Sequence, residues 1–88
     1  MKRILVVDDE PNFANLLKMN LEATGDYEVC TENRGARALR TALRYRPDVV
    51  LLDVIMPDKE GPDVMFQFKS DKQTQNIPIV FLTATVTK

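Results

Sequence analysis

The sequence predicts an α/β domain built on a doubly wound parallel sheet. Two short apolar runs, 4–7 (Ile-Leu-Val-Val) and 49–52 (Val-Val-Leu-Leu), have the continuous hydrophobic character of strands buried on both faces. Amphipathic helical stripes alternate with such runs along the chain. Each of the two runs also leads directly into acid, Asp8-Asp9-Glu10 after the first and Asp53 after the second.

The elements follow in order. Residues 3–8 form the first strand. Pro11 then suits the first turn of a helix, where its missing N–H costs nothing. Phe13, Leu16, Leu17, Asn20 and Leu21 recur on one helical face, and Gly25 can end that helix. Tyr27, Val29 and Thr31 alternate with Glu28, Cys30 and Glu32, as in a half-exposed edge strand. Gly35, Ala38, Leu39, Ala42 and Leu43 mark a second helical stripe that Pro47 stops. After the strand at 49–52 and a loop from Pro57 to Gly61, Val64, Met65 and Phe68 give a third helical face, with Phe66 off it. A fourth strand covers 77–83. The pattern βαβαβαβ requires crossover connections, and the amphipathic second strand belongs at an edge, so the expected spatial order is 2-1-3-4.

Composition narrows the function. The 88 residues make one small domain, with 44% hydrophobic and 28% charged residues. Twelve basic and thirteen acidic side chains leave a net charge of −1, with no footprint for nucleic acid. Arg34, Arg37, Arg40, Arg44 and Arg46 fit the wet face of a helix rather than a polyanion site. The single Cys30 excludes an internal disulfide, and the absence of histidine excludes Ser-His and Cys-His pairs and histidine metal sites. The run after Met1 is too short for a secretory h-region or a membrane span, so a cytoplasmic protein without membrane contact is expected.

In an open α/β sheet, ligands sit outside the carboxyl ends of the strands where the strand order reverses. With order 2-1-3-4 the reversal lies between the first and third strands, so Asp8, Asp9 and Glu10 converge with Asp53. Taken singly, the first three can cap the helix at Pro11, and Asp53 can open the turn into Met56-Pro57. Together they form a cluster in which carboxylates ~4 Å apart repel by about 4 kcal/mol at an effective dielectric of 20. Such a cluster calls for shared protons or a cation, and oxygen-only ligands favour Mg²⁺ or a similar hard ion. The last strand adds Thr83-Ala84 to the same row, a hydroxyl beside a small residue that leaves room for an anion.

These motifs resemble the receiver domain of bacterial two-component response regulators. The shared features are Asp8-Asp9 after the first apolar run, Asp53-Val-Ile-Met56-Pro57 with Gly61, and Phe81-Leu-Thr83-Ala84. The resemblance implies a flavodoxin-like receiver topology and a signalling module rather than an enzyme acting on a separate substrate. It implies that Asp53 is the phosphoacceptor, taking a phosphoryl group from a sensor histidine kinase or phosphotransfer protein. Asp8, Asp9, Asp53 and the Ile55 backbone carbonyl would hold Mg²⁺. Thr83 would be the switch hydroxyl, and the Ala84 backbone N–H would donate to the phosphoryl group.

The chain departs from the family pattern after its fourth strand. A fifth strand, the last two helices and the phosphate-binding lysine are expected to be missing, and Lys88 does not match that lysine. Residues 1–88 are accordingly expected to be a single, incomplete receiver domain. Its last strand would be an apolar unpaired edge, which invites a homodimer. Two alternatives compete: an interaction module that uses this edge without phosphorylation, and an aspartate-nucleophile phosphohydrolase. The hydrolase normally has a general acid two residues after its nucleophile, where this chain has Ile55.

Overall fold

The computed structural model describes residues 1–82. Thr83 and Ala84 lie outside the described residues. The elements are β1 (Lys2–Val7), α1 (Pro11–Glu22), β2 (Tyr27–Glu32), a 3₁₀ turn (Gly35–Arg37), α2 (Ala38–Tyr45), β3 (Val49–Asp53), α3 (Gly61–Lys69) and β4 (Ile79–Leu82). All strand pairs are parallel, in the order β2-β1-β3-β4 expected from the alternation of runs.

The alternation of side chains along β1 divides the core in two. Leu5 and Val7 point to one face, where they join Val50 and Leu52 of β3, Ala38 and Ala42 of α2, and Val64 and Phe68 of α3. Ile4 and Val6 point to the other face and meet Ala14 of α1 and Val29 of β2. With helices on both faces, β1 must be apolar at every position from 4 to 7, which is why that run lacks alternation.

The stripe expected on α1 is corrected in part. Ala14 is fully buried and Leu17 and Leu21 pack beside it, whereas Phe13, Leu16 and Asn20 are exposed. The apolar arc of α1 is wider than its contact with the sheet. The helix therefore seats on the small Ala14, one position round from Phe13. Gly25 takes φ 84° after the helix end, a left-handed conformation that favours glycine. α2 ends at Tyr45, and its left-handed C-cap Arg46 (φ 58°) stands one residue before Pro47. The clustered arginines 34, 37, 40, 44 and 46 lie on the surface, as the stripe around them implies.

The fourth strand begins at Ile79, two residues later than the expected start at 77. The Ile77 N–H bonds back to the Thr74 carbonyl (3.0 Å), which commits it to a turn. That turn rests on Thr74, whose buried hydroxyl donates to the Phe68 carbonyl at 2.6 Å. The outer edge of β2 is occupied in part by a side chain, since the Val29 N–H donates to the Glu22 carboxylate (3.0 Å), and the Tyr45 hydroxyl donates to the Glu28 carbonyl (3.0 Å). On β4, by contrast, Val80 is 50% and Phe81 37% exposed. No helix among the described residues is long and apolar enough to cross a membrane.

Candidate functional site

The sheet register brings the acids together. Val7 pairs with Leu52, so Asp8 and Asp53 are the next residues on two neighbouring strands. The Asp8 N–H continues the ladder to the Glu32 carbonyl (3.0 Å), and its Oδ1 accepts from the Glu10 N–H (2.9 Å). Asp8 is buried, with Asp9 and Asp53 half-buried beside it. One carboxylate oxygen from each of Asp8, Asp9 and Asp53 lies within 4.8 Å of the others. Glu10, at the N-cap of α1, makes no side-chain capping bond and is exposed.

Electrostatics record the crowding. Burial, then the Asp8 charge, pushes the Asp53 carboxyl up to about 6, with Asp9 adding to the rise and the Ile55 N–H opposing it. Burial also raises Asp8, against the lowering effect of the Glu10 N–H, and the charges of Asp9 and Glu10 raise it further. Two neighbouring acids held above the ordinary carboxylate range, with oxygen donors only, match a hard cation. The donor set therefore fits Mg²⁺ on this structure's own terms.

The loop after β3 is fixed at both ends. Asp53 Oδ1 accepts a long bond from the Ile55 N–H (3.4 Å), and the Ile55 side chain is 75% exposed. Met56 turns inward to the core shared by α2 and α3. The Gly61 N–H closes the loop onto the Val54 carbonyl at 2.7 Å. Further round, Asp58 accepts from the Gly35 N–H (3.2 Å) and the Ala36 N–H (3.0 Å). The Ala36 N–H, with the Gly35 N–H adding to it, holds the Asp58 carboxyl below its ordinary range. Asn33 Nδ2 donates to the Asp8 backbone carbonyl at 2.9 Å.

Of the residues expected at the site, the structure brings Asp8, Asp9 and Asp53 together and sets Ile55 in the adjoining turn. Asn33 and Asp58 were not among them. Their only signal was an Asn-Arg-Gly turn before a helix and one more acid in a polar loop, neither of which names a partner.

Fold and cluster together define a carboxylate site at the switch point of a doubly wound parallel sheet. Residues 4–88 match the family model of the response regulator receiver domain, and the chain belongs to that family. The alkaline phosphatase synthesis transcriptional regulatory protein PhoP of Bacillus subtilis is 43% identical over 83 residues, covering 94% of this chain and 33% of that protein. Response regulator PleD of Caulobacter vibrioides is 46% identical over 82 residues, covering 93% and 18%. This chain thus spans a third or less of the length of these relatives. Among solved structures, the N-terminal domain of a response regulator receiver protein from Methanoculleus marisnigri JR1 superposes with a TM-score of 0.91 at 34% identity, covering 100% of this chain and 71% of that one. The response regulator TrrA of Thermotoga maritima, in complex with Mg(2+)-BeF, gives 0.86 at 41% identity, covering 97% and 71%.

Proposed function

We propose that this chain is a phosphoacceptor receiver in a two-component relay, receiving its phosphoryl group on Asp53. The convergence of Asp8, Asp9 and Asp53 within 4.8 Å carries this reading. An Asp53 oxygen would attack the phosphorus of a phosphohistidine on a sensor kinase or phosphotransfer protein. The P–N bond breaks, the imidazole leaves with the electron pair, and an acyl phosphate remains on Asp53. Asp8, Asp9, Asp53 and the Ile55 carbonyl would hold Mg²⁺, which would supply charge compensation for the transferred group. The Mg(2+)-BeF complex of TrrA, a relative at 41% identity, supports that assignment.

The other roles follow the family motif. Thr83 is the switch hydroxyl, and Ala84 supplies a backbone N–H to the phosphoryl group. Residues 1–88 act as one receiver unit in the cytoplasm, beside the donor kinase, and signal without turning over a substrate of their own. Neither nucleic acid nor membrane is a partner of this domain. The exposed Val80 and Phe81 on β4 favour a second contact, with another copy of this chain.

The deciding experiment is incubation with acetyl phosphate and Mg²⁺, followed by intact mass and hydroxylamine release. The native chain gains one phosphoryl group that hydroxylamine removes, and Asp53→Asn gains none. Stoichiometric labelling of Asp53→Asn would place the acceptor elsewhere.

A further inference from the structure

The turn between β2 and α2 touches both halves of the acidic crevice. At its start, Asn33 Nδ2 donates to the Asp8 carbonyl (2.9 Å). Two and three residues later, the Gly35 and Ala36 N–H groups donate to the two oxygens of Asp58 (3.2 and 3.0 Å). Asp58 belongs to the loop that begins at Asp53. That contact is also close-packed: a Cβ on Gly35 would stand 3.0 Å from the Lys59 carbonyl oxygen and 3.2 Å from the Met56 methyl. The short stretch 33–36 therefore bonds both to the segment carrying Asp8 and Asp9 and to the segment carrying Asp53.

Those two segments carry the like charges of the site. With no cation bound, repulsion among the carboxylates acts to spread the strand ends, and hydrogen bonds from a shared turn oppose it. We propose that Asn33 and Asp58 are positioning residues for the cation site. Through residues 33–36 they hold the Asp8-Asp9 pair and the Asp53 loop at the separation that Mg²⁺ requires. This rests on the assignment of Asp8, Asp9 and Asp53 as the cation ligands. Neither Asn33 nor Asp58 belongs to the carboxylate cluster, so each acts through the backbone it fixes. Side chains that orient metal ligands from outside the coordination sphere commonly change metal affinity 10–100-fold when removed.

A purely local role, in which Asp58 only caps the 3₁₀ turn, makes a different forecast. Coupling between two sites is reciprocal, so a turn that favours the cation must itself be tightened by it. The test is a Mg²⁺ titration of the 88-residue chain followed by ¹H–¹⁵N NMR, with amide exchange at Gly35 and Ala36. In the native chain, Mg²⁺ saturation slows exchange at both amides several-fold. Asp58→Ala weakens Mg²⁺ about tenfold, the lower end of the range for such side chains. Asp58→Asn, which keeps one acceptor oxygen, recovers part of the loss. Asn33→Ala weakens Mg²⁺ in the same direction with no change of charge, which rules out a simple field effect. Exchange at Gly35 and Ala36 that ignores Mg²⁺, or unchanged affinity in Asp58→Asn and Asn33→Ala, overturns the positioning role and leaves the cation site standing. Absence of Mg²⁺-dependent shifts at Asp8, Asp9 and Asp53 in the native chain overturns both. The exchange measurement needs no variant, so it decides between the two roles even where a substitution misfolds.

Discussion

Gly61 lies against the backbone of Asp53: a Cβ at position 61 would stand 2.7 Å from the Asp53 carbonyl oxygen and 2.9 Å from the Val54 Cα. The loop between them is tied shut by the 2.7 Å bond from the Gly61 N–H to the Val54 carbonyl. The requirement for glycine is close approach, since among the described residues Gly25 is the glycine with positive φ. Gly61→Ala is expected to cost ~1–3 kcal/mol, as other forced small-to-large changes do, because the obstacle is backbone and cannot rotate away. Chemical denaturation would measure the loss. NMR shifts confined to residues 53–61 would locate it, and a variant as stable as the native chain would refute the steric account.

The raised acids predict an inverted pH profile for the metal-free chain. Asp53, at about 6 when folded against an ordinary 3.8, binds more protons in the folded state than in the unfolded state between those values. Its contribution to stability is therefore full below about pH 4 and is lost as pH rises through 6. Asp8, also raised, has the same sign. Asp58 is lowered, so its contribution is present above its ordinary value and is lost only at more acidic pH, outside this window. The stability of Asp53→Asn relative to the native chain should rise from about pH 4.5 and level off above about pH 7. Thermal melts in EDTA would read the difference, and a flat difference would remove the electrostatic account of the cluster.

Mg²⁺ should reverse that trend. A ligand that binds only the folded state stabilises it by about 2.7 kcal/mol at a hundredfold excess over its Kd. At neutral pH the native chain should melt at higher temperature as Mg²⁺ is added and return to its starting value with EDTA. Asp53→Asn should show a smaller rise. An equal rise in both would mean that the ion binds elsewhere.

The parts of the fold carried by local patterning were legible in the sequence. Val64 and Phe68 announced the buried face of α3, and the unbroken run at 4–7 announced a central strand. The run at 49–52 led to Asp53 in the same way, so the acid cluster followed from strand order alone. What escaped depended on tertiary distance. Phe13 and Leu16 fit a helical stripe as well as Ala14 does, and only the closeness of α1 to the sheet selects Ala14. Asn33 and Asp58 act through backbone groups 25 residues and 22–23 residues away, and nothing local marks such partners. Thr74 escaped for a related reason, since its hydroxyl closes a turn over residues that the apolar run around Pro78 assigns to strand.

The β4 strand supports the last prediction, that the 88-residue chain in isolation self-associates through this edge. The two sheet edges differ. Glu22 occupies the Val29 N–H on the outer side of β2, which blunts that edge against pairing. On β4, Val80 is 50% and Phe81 37% exposed, and no strand among the described residues pairs with its outer side. Phe81 also reaches the α3 face, where its ring lies 3.2 Å from the Cβ position of Gly61, so the apolar surface continues from the strand toward the loop. Covering a few hundred Å² of such surface contributes several kcal/mol at about 25 cal/mol per Å². A symmetric dimer is the expected form, because a self-complementary patch closes at two copies. Sedimentation across a hundredfold concentration range should show a monomer–dimer equilibrium. Val80→Lys should shift it to monomer with the far-ultraviolet circular dichroism unchanged, because a charge on an exposed edge opposes pairing without entering the core. A native chain that sediments as a monomer throughout, or a Val80→Lys variant that dimerises equally well, would show that β4 is not the contact.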